Sequence, residues 1–136
     1  MVLKLTCLYL RRSKKGTDGS EIPATAVIKQ ISTGSDHACA VTDEMKAYCW
    51  GGNTYGQLGL GSSVLQFNTP KQVKIGTAGS EIPAGSSIER ISIATDHSCA
   101  LASDKKIYCW GLNNKGQNGL GDVAPNRIVP TRAHQG

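Results

Sequence analysis

Eight residues of a nine-residue segment of this chain occur twice. Gly16-Thr17-Asp18-Gly19-Ser20-Glu21-Ile22-Pro23-Ala24 returns as Gly76-Thr77-Ala78-Gly79-Ser80-Glu81-Ile82-Pro83-Ala84, sixty residues later and with a single difference. The register then holds without a gap to the end of the chain. Asp36-His37-Ala38-Cys39-Ala40 returns as Asp96-His97-Ser98-Cys99-Ala100, and Tyr48-Cys49-Trp50-Gly51 as Tyr108-Cys109-Trp110-Gly111. A unit of this size that recurs in tandem is the mark of a stacked architecture, in which each copy buries its apolar surface against the next. Residues 1–15 find no match in 61–75, so the chain divides into a basic N-terminal segment (1–15), a first repeat (16–75) and a second (76–136).

Each repeat reads as four short strands joined by turns. The first has runs at 28–33, 38–41, 47–51 and 72–75, with equivalents sixty residues on, and helical periodicity is missing throughout. Setting Cys39 opposite Cys49 across the 42–46 turn places Ala38 against Trp50, Ala40 against Tyr48 and Val41 against Ala47. Side chains alternate across a strand. Trp50 and Tyr48 therefore share one face with small partners, and Cys39, Cys49 and Val41 share the other. Both faces are apolar, and such a sheet needs a cover on each side. The expectation is an all-β chain of antiparallel four-stranded blades, about two blades of a partial β-propeller, with Trp50, Tyr48, Trp110 and Tyr108 as packing between blades.

The formal charge of +5 sits almost wholly in residues 1–15, which hold Lys4, Arg11, Arg12, Lys14 and Lys15 and no acid. The remainder carries ten basic and ten acidic side chains. A nucleic-acid-binding domain spreads basic charge over its folded surface, so no nucleic-acid partner is expected. No run approaches the ~20 apolar residues of a membrane span, and residues 2–10 make a poor secretory signal because the charges follow the apolar run. Glycines crowd residues 51–61, yet the Lys-Ser/Thr of a phosphate loop is missing and no helix pattern follows. They fit tight turns instead.

His37-Ala38-Cys39-Ala40-Val41, Tyr48-Cys49-Trp50-Gly51, Asn53 and Gly56-Gln57-Leu58-Gly59, followed by Thr69-Pro70, resemble the repeat of the regulator of chromosome condensation family. The second copy keeps His97, Trp110, Gly111, Asn113, Gly116, Gln117, Gly119 and Pro130, with Asn118 in place of the usual apolar residue. The resemblance covers about residues 28–75 and 88–132. It implies a β-propeller, normally of seven four-stranded blades, whose loops bind proteins. Two repeats cannot close such a ring, which leaves either the remaining blades of a longer parent chain or self-association. The founding nuclear member is a nucleotide exchange factor acting through an inserted wedge, and no residues here match that wedge, so the activity is not carried over.

The five cysteines divide into Cys39 with Cys49, Cys99 with Cys109, and Cys7 alone. Each pair faces across a hairpin, a separation that a disulfide accepts, and the favoured reading is two structural disulfides in an exported, extracellular or cell-surface protein, with a cytoplasmic location as the alternative. Zinc is the rival, because His37 shares a face with Cys39 and Cys49, but the set lacks a fourth ligand. No metal or other cofactor is expected, and no enzyme, since the only candidate for thiol–imidazole chemistry, Asp36-His37 with Cys39, recurs in both repeats. The expected function is a non-catalytic protein–protein interaction module with a protein partner not yet identified. The alternatives are an inhibitor-type binder of a secreted enzyme or a zinc-binding structural module. Contacts are expected in the stretches where the copies differ most, at Ser62, Val64, Gln66 and Asn68 and at Asp122, Asn126 and Arg127.

Overall fold

The computed structural model describes residues 19–123 and 125–135. The basic segment 1–15 and Cys7 lie outside them. The described chain forms eight strands: β1 (Ile28–Thr33), β2 (His37–Thr42), β3 (Ala47–Gly52), β4 (Gln66–Gln72), β5 (Ile88–Ile93), β6 (His97–Ala102), β7 (Ile107–Gly111) and β8 (Arg127–Arg132). They make two antiparallel meanders, β1-β2-β3-β4 and β5-β6-β7-β8. Each is one blade.

The central hairpins have the register that the cysteine positions predict. Ala38 faces Trp50, Cys39 faces Cys49, Ala40 faces Tyr48 and Val41 faces Ala47, and the second blade repeats the pattern with Ser98–Trp110, Cys99–Cys109, Ala100–Tyr108 and Leu101–Ile107. The outer strand differs from expectation. The sequence pattern points to 72–75, whereas β4 runs over Gln66–Gln72, so Gln66 and Asn68 belong to a strand and not to a loop; Arg127 likewise opens β8. Proline within the run hides this strand from a sequence reading, because it removes a ladder donor. The structure accommodates Pro70 on the outermost strand, where the pairing with β3 is interrupted by a bulge between Cys49 and Gly51.

The two blades stack face to face. The cysteine face of the first (Cys39, Val41, Ala47, Cys49) meets the tryptophan face of the second (Ile91, Ala100, Tyr108, Trp110) in a single buried cluster. This seam is the core, and it is where the two-sided apolar pattern is satisfied. Polar links reinforce it. The Gln30 side chain grips the main chain of Ile91, accepting from its N–H at 3.0 Å and donating to its carbonyl. Ser32 Oγ accepts from Ile93 N–H at 3.1 Å, His37 Nε2 meets Ser98 Oγ at 3.0 Å, and the Trp110 indole N–H donates to the Gln57 carbonyl at 2.8 Å.

Candidate functional site

The β3–β4 and β7–β8 connections stand at one end of the blades, each shaped by an asparagine. Asn53 Nδ2 donates to the carbonyls of Ser62 (3.0 Å) and Val64 (2.8 Å), while its Oδ1 accepts from Leu58 N–H at 3.2 Å. Asn113 does the same for the second loop, donating to the Asp122 carbonyl and carboxylate and accepting from Asn118 N–H at 3.1 Å. Buried amides with both ends engaged hold a loop rigidly. Left-handed glycines make the tight turns; Gly59 (φ +69°) leaves so little room that a Cβ there would lie 2.8 Å from Trp110 Nε1.

The seven expected contact residues separate into two groups. Ser62, Asp122 and Arg127 help to shape the loops. Ser62 Oγ accepts from Val64 N–H, and Asp122 accepts from Asn113 and, at 2.8 Å, from the Arg127 guanidinium. Val64, Gln66, Asn68 and Asn126 face solvent, with Gln66 and Asn68 linked to each other at 2.6 Å on β4. The most exposed apolar side chains on these loops are Leu65 (66%) and Val123 (66%), which lie within the expected stretches but are not among the individual residues expected there, followed by Val64 (57%). Their signal was available: an apolar residue inside a polar turn has no packing reason to be there.

Of the residues that carry chemistry, His37, Cys39 and Cys49 are buried in the seam, while His97 and Cys99 are half-buried on the second blade. Cys39–Cys49 and Cys99–Cys109 are disulfides, with Cα atoms 4.1 Å apart in each, the close spacing of a non-hydrogen-bonded antiparallel pair. These four sulfurs are thereby spent as thiolate ligands or nucleophiles. Among the described residues no group of three His, Cys, Asp or Glu side chains gathers to hold a metal. His37 is buried, and burial pushes its pKa down to about 4 against the pull of Asp36, with His97 lowering it further. Because Ser98 Oγ donates its one proton to the Gln57 carbonyl at 2.8 Å, it accepts from His37, so Nε2 carries the hydrogen. Tyr108 is pushed up to about 12 by burial and by its hydrogen bond to Asp104 at 2.7 Å.

Two stacked four-stranded meanders, with the loops at one end stiffened by asparagine and a disulfide in each central hairpin, define a tandem-blade propeller segment. The comparisons agree on which one. The regulator of chromosome condensation (RCC1) repeat matches residues 28–57 and 89–117 in one form and 46–101 in another, and the chain belongs to this repeat family. It is 32% identical over 125 residues to the probable E3 ubiquitin-protein ligase HERC6 of Homo sapiens, covering 88% of this chain and 12% of that protein. It is 35% identical over 105 residues to the ultraviolet-B receptor UVR8 of Arabidopsis thaliana, covering 77% and 22%. Among solved structures it resembles Prp20p of Saccharomyces cerevisiae with a TM-score of 0.70 at 19% identity, over 90% of this chain and 31% of that one. Human WBSCR16 gives 0.67 at 20%, over 93% and 32%. The chain thus spans less than a third of each of these proteins. Among the described residues no helix is long and apolar enough to cross a membrane.

Proposed function

We propose that the chain is a non-catalytic protein-interaction module whose contact surface is the loop end of its blades. The observation that carries this reading is the exposure of Val64, Leu65 and Val123 on loops that Asn53 and Asn113 hold in place. Apolar side chains fixed in water by a rigid frame lose little entropy when a partner covers them, which is the economy of a binding surface. The solved relative Prp20p is described with binding properties toward Gsp1p and histones, and yeast RCC1 with bound Kap60. Those partners are proteins, which supports a protein partner for the present chain. The two disulfides favour an oxidising compartment outside the cytosol.

A photo-crosslinking residue placed at Leu65, at Val123, or at Glu44 on the opposite end tests the reading in the source cells. Protein adducts from the first two positions and not from Glu44 are expected. Adducts from Glu44 alone, or none from any position, would overturn it.

A further inference from the structure

The second repeat carries a polar side chain in a slot where the first carries an apolar one. Leu58 is fully buried and belongs to the apolar seam. Asn118, sixty residues later, is also 0% exposed but brings a carboxamide into the equivalent place. Its Nδ2 donates to the Gly111 carbonyl at 3.3 Å, while its Oδ1 finds no donor among the described residues. A buried acceptor without a donor weakens a fold, and Leu58 has no such group to satisfy.

The following residue makes this amide reactive. Asn118-Gly119 is the one Asn-Gly pair in the sequence. Glycine has no side chain to shield its own main-chain nitrogen or to restrict its backbone, so that nitrogen can reach the Cγ of the asparagine before it. The nitrogen bonds to Cγ, the Cγ–Nδ2 bond breaks, and Nδ2 leaves as ammonia with the nitrogen's proton, closing a five-membered succinimide. Water then opens the ring at either carbonyl and leaves aspartate or isoaspartate. Water is the sole co-reactant.

The closed loop holds this reaction off. Gly119 N–H donates to the Gly116 carbonyl at 3.0 Å, and the Gly119 carbonyl accepts from His134 N–H at 2.8 Å. Asn118 N–H is bound to Asn113 Oδ1 at 3.1 Å. The Gly119 nitrogen must leave its carbonyl partner before it can turn on Cγ, and such local opening precedes global unfolding.

We propose that Asn118 is a deamidation site controlled by opening of the β7–β8 loop, and that its conversion prevents the loop from closing again. In the aspartate product an oxygen replaces Nδ2 and faces the Gly111 carbonyl, a buried charge opposite an acceptor. In the isoaspartate product the main chain gains a methylene between two anchored N–H groups, those bound by Asn113 and by Gly116, so both bonds cannot re-form together. The first-repeat loop makes the same left-handed turn at Gly59 but presents Leu58, and is exempt.

The proposal needs only the loop geometry and stands apart from the binding reading. The full chain is incubated at mildly alkaline pH in buffer and in urea below its unfolding midpoint, beside a free peptide of residues 113–123, and deamidation is located by peptide mass spectrometry. Asn118 should convert ahead of every other asparagine. In buffer it should do so at least about tenfold more slowly than in the peptide, because the open loop is a minor population, and urea should close that gap. The converted chain, separated by its added negative charge, should unfold at a lower urea midpoint, as should Asn118→Asp. Conversion in buffer at the peptide's rate, no preference for Asn118 in urea, or a converted chain with an unchanged midpoint would each overturn the proposal.

Discussion

The Trp110 indole N–H and the Gln57 carbonyl are joined at 2.8 Å across the boundary between two blades, and the same indole fills the space that a side chain at Gly59 would need. Trp50 occupies the equivalent strand position, and its N–H finds no acceptor among the described residues. Replacing an indole by a phenyl ring removes the donor in both cases, but only at Trp110 is a made hydrogen bond lost. Trp110→Phe should therefore destabilise the chain by about 1–2 kcal/mol more than Trp50→Phe, measured by urea unfolding.

Gly59 and Gly119 share a left-handed backbone (φ +69° and +68°) but not a neighbour. An added methyl at Gly59 strikes the Trp110 ring, while one at Gly119 meets only the Ala133 methyl at 3.4 Å. Gly119→Ala should cost about 1–2 kcal/mol, the conformational penalty alone, and Gly59→Ala about 1–3 kcal/mol beyond that. Thermal unfolding of the pair checks the order.

His37 makes the fold sensitive to acid. Its folded pKa of about 4 lies below the 6.5 of a free imidazole. Between those values the unfolded chain binds a proton that the folded chain does not, so stability is lost as pH falls from about 6.5 towards 4. The loss attributable to His37 is on the order of 3 kcal/mol. His97, also lowered by burial, adds in the same direction. Unfolding free energies at pH 7 and pH 4.5 should differ markedly in the unaltered chain and much less in His37→Gln.

Much of this architecture was legible because two copies of one pattern check each other. The hairpin register follows from Cys39 and Cys49 alone, and its repetition at Cys99 and Cys109 leaves little freedom. The outer strand was not legible. Its residues Gln66, Asn68 and Arg127 are polar and interrupted by Pro70 or Pro130, since an edge strand pairs on one side only and tolerates residues that an inner strand rejects. The loop surface was legible as a place but not residue by residue. Whether Ser62 or Val64 faces solvent depends on where Asn53 directs its amide, a relation between positions about ten apart that no local pattern encodes.

The two disulfides sit in unlike surroundings. Cys39 and Cys49 are fully buried in the seam, whereas Cys99 is half-buried on the open face. A thiol reductant should open Cys99–Cys109 first and reach Cys39–Cys49 only when the blades separate, each loss costing about 2–3 kcal/mol. Timed alkylation with peptide mass spectrometry resolves the order.

The stacking of cysteine face on tryptophan face is most directly tested by nuclear magnetic resonance of the two indole protons. The Trp110 proton should show an Overhauser contact to Gly59 and exchange with solvent only on global unfolding. Absence of that contact, with Trp110 exchanging as fast as a free indole, would contradict the stacked-blade account.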